Sequence, residues 1–298
     1  MKRNHRKVIL KIVFFLLAAL AVASLVMAKK KAKEERDSYI IHALGGLDGK
    51  SYINSIDCLR KCYDAGYRIF EADVSFTSDG VLVMAHSGEN NIWTSNDWYG
   101  RLGQEYPFTE GAEVPERYDK QKHLATYKDF MSFRIQGRYK ATSFEEILDF
   151  MGKHDDMYLM IDAGYRSYED TMTFYQEVVR LADGRTDVLD RIIASGQTTD
   201  MVKAARMNYD FPLVNLYYNT DEKREEILST PEKFVSYCEE YGITSFSVDK
   251  EVYTEDVAKV LENSSLKSYV FTVNDSAEEK LLRSYGADVI GTDFLWEE

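Results

Sequence analysis

Short apolar runs alternate with amphipathic stretches from residue 38 to the end of the chain. Runs rich in β-branched and aromatic residues are typical of buried strands, and apolar positions three or four residues apart are typical of helices. The predicted strands are SYIIHA, YRIFEADV, VLVMAH, MYLMID, RIIAS, PLVNLY, ITSFSV, SYVFTV and ADVIGTD. The predicted helices cover residues 51–64, 144–152, 169–182, 199–207, 221–240, 254–263 and 275–285.

This succession of strands and helices predicts an α/β fold for residues 38–298. Strands that alternate with helices form parallel β/α units, and about eight such units fit a closed (β/α)8 TIM barrel of roughly 250 residues. An open doubly wound sheet is the alternative. Residues 88–140 are polar, aromatic and irregular, so we predict an inserted excursion there, after strand 2 of the barrel.

The N-terminus has the pattern of a membrane segment. Residues 1–11 are basic, and residues 12–28 are 17 uncharged, mostly apolar positions, at the lower end of what spans a bilayer, about 17–25 residues. We predict a single-pass, uncleaved signal anchor, with a cleaved signal peptide as the alternative. A basic N-terminus usually stays in the cytoplasm, which predicts a cell-membrane protein with a juxtamembrane linker at 29–37 and an extracytoplasmic barrel.

Charge and cysteine content narrow the function classes. Residues 1–36 carry ten Lys and Arg against two acidic residues, so this segment is +8 and the remainder is −21 of the net −13. A domain so acidic is a poor partner for nucleic acid, which is bound through Lys and Arg. Cys58, Cys62 and Cys238 lack ligand spacing and are predicted to be free thiols, which argues against a structural zinc site.

Polar side chains stand at or near the ends of the predicted strands: His42, Glu71, Asp73, His86 and Asp162. In a (β/α)8 barrel the carboxyl ends of the strands meet at one mouth, where catalytic residues lie. Glu71 and Asp73 share one strand face, and three carboxylates suit Mg²⁺ or Ca²⁺. A histidine pair beside them could serve as general acid and base.

The stretch IIHALGG…NS…AGYRIFEADVSFTSDGVLVMAHS resembles the opening of the glycerophosphodiester phosphodiesterase family. That family reads His-Arg-Gly, Glu-Asn-Thr and then Gly-x-x-x-x-Glu-x-Asp-Val-x-x-Thr-x-Asp-Gly-x-x-Val-x-x-His-Asp. FTVND and GADVIGTD resemble its later Thr-Val-Asn and Ile-x-Thr-Asp strands. The resemblance implies a (β/α)8 barrel with an excursion after strand 2, catalytic histidines at His42 and His86, metal ligands at Glu71, Asp73 and Asp162, and a match for the family Asn at Asn54.

The chain also departs from the family pattern, and two of the departures replace the Arg and Lys that would normally hold the phosphate. Arg and Lys normally stabilise charge in phosphoryl transfer, and here Arg166 or Lys250 could supply that charge from elsewhere. The family Arg, Glu, Asp and Lys are replaced by Ala43, Ile53, Ser87 and Gly164, respectively.

These observations predict a metal-dependent hydrolase that uses two-histidine acid/base catalysis on a glycerophosphodiester, a lysophospholipid or a related envelope phosphodiester. Asn54 and Arg166 are the predicted substrate-binding residues. The partners would be a small phosphodiester or a lipid headgroup, and the membrane through the N-terminal helix. The alternative is a catalytically impaired barrel that acts as a binding domain at the cell surface.

Overall fold

The computed structural model describes residues 27, 30, 31, 33–77, 79–86, 126–132, 134, 135, 137–164, 167–217, 225, 227–262 and 264–297. The chain divides into two units, Met1–Ser38 and Tyr39–Glu298. The strands of the second unit are β1 (Tyr39–Ile41), β2 (Ile69–Phe76), β3 (Leu82–Met84), β4 (Arg134–Ile135), β5 (Tyr139–Lys140), β6 (Tyr158–Asp162), β7 (Ile192–Gly196), β8 (Leu213–Tyr217), β9 (Ser245–Asp249), β10 (Lys267–Phe271) and β11 (Val289–Thr292).

Eight of these strands form a closed parallel barrel in the order β1, β2, β6, β7, β8, β9, β10 and β11. β1 closes it, because Ile41 pairs with Phe70 of β2 on one side and with Thr292 of β11 on the other. The predicted (β/α)8 barrel is therefore confirmed, and the open doubly wound sheet is excluded. β3 lies outside the barrel order and pairs antiparallel with β2.

Helices follow the strands, and several of them begin at a polar residue whose side chain accepts a hydrogen bond from a free backbone N–H group of the first turn. Ser143, for example, forms a capping box with Glu146 at the start of one helix. The helices are α1 (Ile56–Asp64), α2 (Tyr127–Met131), α3 (Phe144–Met151), α4 (Tyr168–Ala182), α5 (Thr186–Leu189), α6 (Thr199–Asn208), α7 (Pro231–Glu240), α8 (Glu255–Leu261) and α9 (Ser276–Tyr285).

Helix α1 is shorter than the predicted helix over 51–64. It begins at Ile56, and Ser55 caps it by accepting a hydrogen bond from the Asp57 N–H. Tyr52 and Asn54 lie in the left-handed region, with φ of 54° and 48°, so residues before Ser55 cannot continue a right-handed helix. They form a loop at the carboxyl end of β1.

Alternate strand residues face the helices and the barrel interior, as the two-residue period of a strand requires. Ile41 of β1 and Ile161 of β6 belong to the large core shared with the helices. Their neighbours Ile40 and Met160 pack inside the barrel with Tyr269. The barrel is thus filled with side chains, and its polar groups are confined to particular positions of the strands.

The described part of the predicted 88–140 excursion consists of α2 and the β4–β5 hairpin. Phe130 and Tyr139 from this part pack with Ile53 and Leu47 of the loop after β1 and with Val83 of β3. These contacts support the loop that carries Tyr52 and Asn54. Residues 88–125 of the excursion lie outside the described residues.

Gly291 of β11 lies very close to side chains of the neighbouring strand β10 inside the barrel. A Cβ atom at this position would lie 2.3 Å from the Tyr269 ring and 2.8 Å from the Phe271 Cβ. Both distances are below contact, so the ring of Tyr269 occupies the space that a side chain at position 291 would need.

Gly291→Ala is expected to destabilise the barrel by about 1–3 kcal/mol, because an added methyl group overpacks a filled core. Urea denaturation of the full chain measures the effect. Gly152→Ala is the matched control, since Gly152 has φ −64° and its added Cβ would come no closer than 3.4 Å to another atom. An unchanged urea midpoint for Gly291→Ala would contradict the close packing of Tyr269.

In the first unit, the described residues from 27 to 36 are helical, and Lys30 pairs with Glu34 at 3.6 Å. Within the part of the chain that the structure describes, no helix is both long and apolar enough to cross a bilayer. The predicted anchor over 12–28 lies almost entirely outside the described residues and stays a prediction, as do the linker at 29–37 and the orientation in the membrane.

Candidate active site at the carboxyl ends of the strands

Three carboxylates meet at the carboxyl ends of β2 and β6. Glu71 and Asp73 are two residues apart on β2, and Asp73 is paired in register with Asp162 at the end of β6. One oxygen from each carboxylate lies within 4.8 Å of the other two. Glu71 and Asp73 are only 2% and 4% exposed. The predicted metal ligands therefore lie together in a nearly closed space.

Each carboxylate accepts one hydrogen bond from the residues that the structure describes. Glu71 accepts from the Ala43 N–H at 2.9 Å, Asp73 from the Asn54 Nδ2 at 2.7 Å, and Asp162 from the Gly164 N–H at 2.7 Å. Each of these bonds engages a single carboxylate oxygen. The backbone at positions 43 and 164, where the family carries Arg and Lys, thus orients two of the carboxylates.

The carboxylates repel one another in the protein without a cation. Burial, followed by the charge of Asp73, raises the pKa of Glu71 well above its usual 4.5, even though His42 opposes the shift. Burial and then Asp73 also raise the pKa of Asp162. A divalent cation would remove this repulsion, and an all-oxygen donor set fits Mg²⁺ or Ca²⁺. The three residues therefore fit the predicted metal.

Asn54 binds Asp73 through both ends of its side-chain amide. Its Nδ2 donates to the Asp73 carboxylate and its Oδ1 accepts from the Asp73 N–H at 3.1 Å. The predicted role of Asn54 in binding substrate stays a prediction; its observed role is to hold Asp73. Lys250, the other candidate for phosphate charge, pairs with Glu278 at 2.8 Å, and Arg166 lies outside the described residues.

Asn54→Ala is expected to weaken divalent-cation affinity about 10–100-fold, because residues that orient metal ligands contribute at that level. Isothermal titration of the metal-free protein with Ca²⁺ and Mg²⁺ measures it. Asn208→Ala is the matched control, since Asn208 is the last residue of α6 and donates to the carbonyls of Met172 in α4 and Ala204 in α6. Equal affinities for Asn54→Ala and the unaltered chain would show that Asp73 needs no such support.

His42 follows β1 and lies against the carboxylates. Its Nδ1 is 2.9 Å from the Asp293 Oδ1 and its Nε2 is 3.9 Å from the Glu71 Oε2. Burial lowers the pKa of His42, but the hydrogen bond to Asp293 and the charges of Glu71 and Asp73 outweigh burial and raise it to about 9. A bound cation would counter the carboxylate contribution and bring this pKa back toward neutrality.

Asp293 is itself held by Asn274. The Asn274 Nδ2 donates to the Asp293 Oδ2 at 2.9 Å, and its Oδ1 accepts from the Asp293 N–H at 2.8 Å. Asn274, Asp293 and His42 thus form one chain of hydrogen bonds. Sequence reasoning missed the roles of Asn274 and Asp293, although FTVND and GTD stood out as matches to the family strands and each places its polar residue at a strand end.

His86 lies just beyond β3 and closes the group of predicted residues. Its charge lowers the pKa of Asp162, against the larger effect of burial, which places it near the carboxylates. Its Nδ1 is buried and makes no hydrogen bond to any described residue. The ring of Tyr52 lies between the two histidines, with centroids 4.8 Å from His42 and 5.9 Å from His86.

Five side chains that the sequence predicted therefore gather at one mouth of the barrel: His42, Glu71, Asp73, His86 and Asp162. Two imidazoles can move protons there, and three carboxylates can hold a cation. In the described residues, no Lys or Arg forms a hydrogen bond or an ion pair with these carboxylates. The mouth thus combines a negatively charged group that could hold a cation with two imidazoles that could transfer protons.

The fold matches solved phosphodiesterase structures. A glycerophosphodiester phosphodiesterase from Parabacteroides distasonis aligns with a TM-score of 0.59 at 19% identity, covering 88% of this chain and 94% of that one. One from Thermotoga maritima aligns with a TM-score of 0.55 at 20% identity, covering 86% and 94%. An Oleispira antarctica phosphodiesterase in complex with the product sn-glycerol-3-phosphate aligns with a TM-score of 0.60 at 13% identity, covering 87% and 94%.

No curated protein matches the sequence significantly. The sequence model of the glycerophosphoryl diester phosphodiesterase family matches residues 46–296, nearly the whole barrel unit. The match agrees with the family resemblance of the sequence, and it includes the stretch that carries Glu71, Asp73 and His86. The chain therefore belongs to the glycerophosphoryl diester phosphodiesterase family and is an enzyme of the phosphoric diester hydrolase class.

Proposed function

We propose that this chain hydrolyses a glycerophosphodiester, a lysophospholipid or a related envelope phosphodiester with a divalent cation, Mg²⁺ or Ca²⁺, and two histidines. The observation that carries the proposal is the meeting of two buried carboxylates, Glu71 and Asp73, with the half-buried carboxylate of Asp162 beside His42. Asp73 raises the pKa of both Glu71 and Asp162. Carboxylates held this close are costly without a cation, so their convergence supports metal binding at this mouth.

When bound, the cation polarises a phosphoryl oxygen of the substrate. The chain's own residues move the protons. His86 takes the proton from an attacking water or substrate hydroxyl as a new P–O bond forms. His42 gives the Nε2 proton to the leaving oxygen as the old P–O bond breaks, which releases an alcohol. Asp293 stabilises the protonated form of His42, and we assign His42 as the acid for that reason.

We infer the substrate class from the family and from the charge of the phosphate group that must enter the mouth of the barrel. A diester carries one negative charge, whereas a monoester carries up to two. A mouth with three carboxylates and, in the described residues, no Lys or Arg bonded to them favours the less charged group. The Oleispira antarctica enzyme holds sn-glycerol-3-phosphate as its product, which supports a glycerol-bearing diester here.

We further propose that residues 12–28 anchor the chain in the cell membrane and that the barrel faces away from the cytoplasm. The support is the 17-residue uncharged run after a basic N-terminus. Carbonate extraction of membranes followed by protease treatment of intact cells measures both points. A chain released by carbonate, or a barrel protected in intact cells, would contradict this placement.

One observation favours a second function. Ala43 and Gly164 place no charge where the family carries Arg and Lys, and Lys250 is engaged with Glu278. A barrel with a weakened phosphate grip would bind a surface ligand without turning it over. The costly carboxylates and both histidines persist in this chain, and they argue for the enzyme.

A diester panel separates the two functions. The full chain in detergent is incubated with glycerophosphocholine, a lysophospholipid and bis(p-nitrophenyl) phosphate, with Mg²⁺, with Ca²⁺ or with EDTA. Turnover that EDTA abolishes and a cation restores is expected for the enzyme. Ligand binding without turnover on the whole panel would favour the binding domain. Turnover unaffected by EDTA would contradict the role of the carboxylates.

A further inference from the structure

Tyr52 stands between the two histidines of the candidate site. Its ring meets His42 edge-on, with an interplanar angle of 82° at a centroid distance of 4.8 Å. It meets His86 in the same way, at 82° and 5.9 Å. Edge-to-face contacts of this kind fix ring orientation as well as distance. A single side chain thus touches both groups that exchange protons with the substrate.

The backbone at Tyr52 is held in an unfavourable conformation. Its φ of 54° lies in the left-handed region, which costs roughly 1–2 kcal/mol for a residue other than glycine. Unlike Asn or Asp, tyrosine has no short polar side chain that could offset this cost by local hydrogen bonding. Strain of this kind persists at sites where the surrounding structure dictates it.

The loop around Tyr52 is tied down on both sides. The Asn54 N–H donates to the Ala43 carbonyl at 2.9 Å, and the Asn54 side chain binds Asp73. Ile53 is fully buried in the cluster formed with the excursion. The position of the Tyr52 ring is therefore set by the same contacts that set a metal ligand.

The two histidines depend on Tyr52 to different degrees. His42 is also fixed by its hydrogen bond to Asp293. His86 follows the short strand β3, and its Nδ1 has no hydrogen-bond partner among the described residues. Tyr52 makes an edge-on ring contact with His86, and we expect the loss of this contact to affect His86 more than His42.

We propose that Tyr52 is a positioning residue for the histidine pair. Its ring sets the separation and orientation of the two imidazoles, so that both histidines can act on the same phosphodiester. The inference rests on the proposed two-histidine hydrolysis. It matters more in this chain because the side chains at Ala43 and Gly164 carry no charge to orient the phosphate. The shape of the mouth must then contribute more to orienting the phosphate.

Tyr52→Ala is expected to lower kcat about 10–100-fold, because misplacing a catalytic group by about 1 Å costs on that order. KM should change by less than about threefold, since a positioning residue acts on the reaction step more than on binding. Tyr52→Phe keeps the ring and is expected to restore kcat. Tyr158→Ala is the matched control, because Tyr158 is exposed at the opposite ends of the strands.

A second measurement does not require turnover. The imidazole proton resonances of His42 and His86, recorded by NMR on the full chain, should move in Tyr52→Ala because the ring current of Tyr52 is lost. The resonance of His154, which stacks on Phe150, should not move. Unmoved His42 and His86 resonances, or an unaltered kcat in Tyr52→Ala, would overturn the inference.

The outcomes also separate this inference from the proposed function. Absence of turnover in the unaltered chain, with shifted resonances in Tyr52→Ala, would remove the hydrolysis and with it the positioning role. Turnover in the unaltered chain with equal kcat in all Tyr52 variants would remove the positioning role alone. A Tyr52→Phe variant as impaired as Tyr52→Ala would assign the effect to the hydroxyl group and overturn the role of the ring.

Discussion

Replacing Glu71 with glutamine is expected to lower cation-dependent kcat/KM by on the order of 10³-fold, because a metal ligand accounts for several kcal/mol of transition-state stabilisation. The same change should stabilise the metal-free protein by about 1–3 kcal/mol, since it removes a buried charge that its neighbours disfavour. Steady-state kinetics with Mg²⁺ or Ca²⁺ and thermal unfolding in EDTA measure the two effects, which have opposite signs.

The stabilisation should depend on pH in a defined direction. The folded chain raises the pKa of Glu71 above its ordinary 4.5, so the folded state keeps a proton that the unfolded state has released. The unaltered chain therefore loses stability relative to Glu71→Gln as pH rises from about 4.5, by up to about 1.4 kcal/mol per pH unit, until the folded pKa is passed. Below about 4.5 the two proteins should unfold alike.

Glu239→Gln is the matched control for this substitution, because Glu239 is exposed at the end of α7. It should change neither kinetics nor melting temperature. For a domain of this size, 1 kcal/mol corresponds to roughly 2–4 °C, which is measurable. A Glu71→Gln protein that melts below the unaltered chain in EDTA at neutral pH would contradict the mutual repulsion of the carboxylates.

Replacing His42 with asparagine is expected to lower kcat about 10²–10⁴-fold, the range that a general acid contributes. Asparagine can still donate a hydrogen bond to Asp293 but cannot deliver a proton. The loss should therefore be larger for glycerophosphocholine, whose alkoxide needs protonation, than for bis(p-nitrophenyl) phosphate, whose phenolate does not. Parallel kinetics on the two substrates measure this difference.

His154→Asn is the control for His42→Asn. The His154 Nδ1 lies 2.7 Å from the carbonyl of Phe150, so the substitution is chemically matched. His154 precedes β6 and therefore lies at the end of the barrel remote from the carboxylates. Activity should be unchanged. Equal losses on both substrates in His42→Asn would show that His42 is not the acid and would move that role to His86.

The barrel was predictable because its strands are locally distinct. Each is a short apolar run, and runs such as MYLMID and PLVNLY stand out against amphipathic helices. One error lay at the start of α1, which was predicted from residue 51 and begins at Ile56. Backbone conformation decided that boundary, because Tyr52 and Asn54 are left-handed. Asparagine adopts this conformation more readily than most residues, but tyrosine gives no such signal in a sequence.

The candidate site was predictable where its members are neighbours in the chain or stand at strand ends. Glu71 and Asp73 share a strand face, and Asp162 ends the strand beside them. The partners of these residues were not predictable in the same way. Asp293 supports His42 from a position 251 residues away, and Tyr52 meets both histidines through a loop. Such contacts form only when the barrel closes and the loops pack at its mouth, and local sequence patterns do not encode them.

Closure of the barrel joins its first and last strands at the proposed acid. His42 follows the first strand and Asp293 follows the last, and they meet because β1 pairs with β11. A nascent chain therefore lacks this contact until β11 has been synthesised and has docked against β1. Recovery of hydrolysis after dilution from denaturant would report the docking of β11, because the proposed acid is complete only after that step.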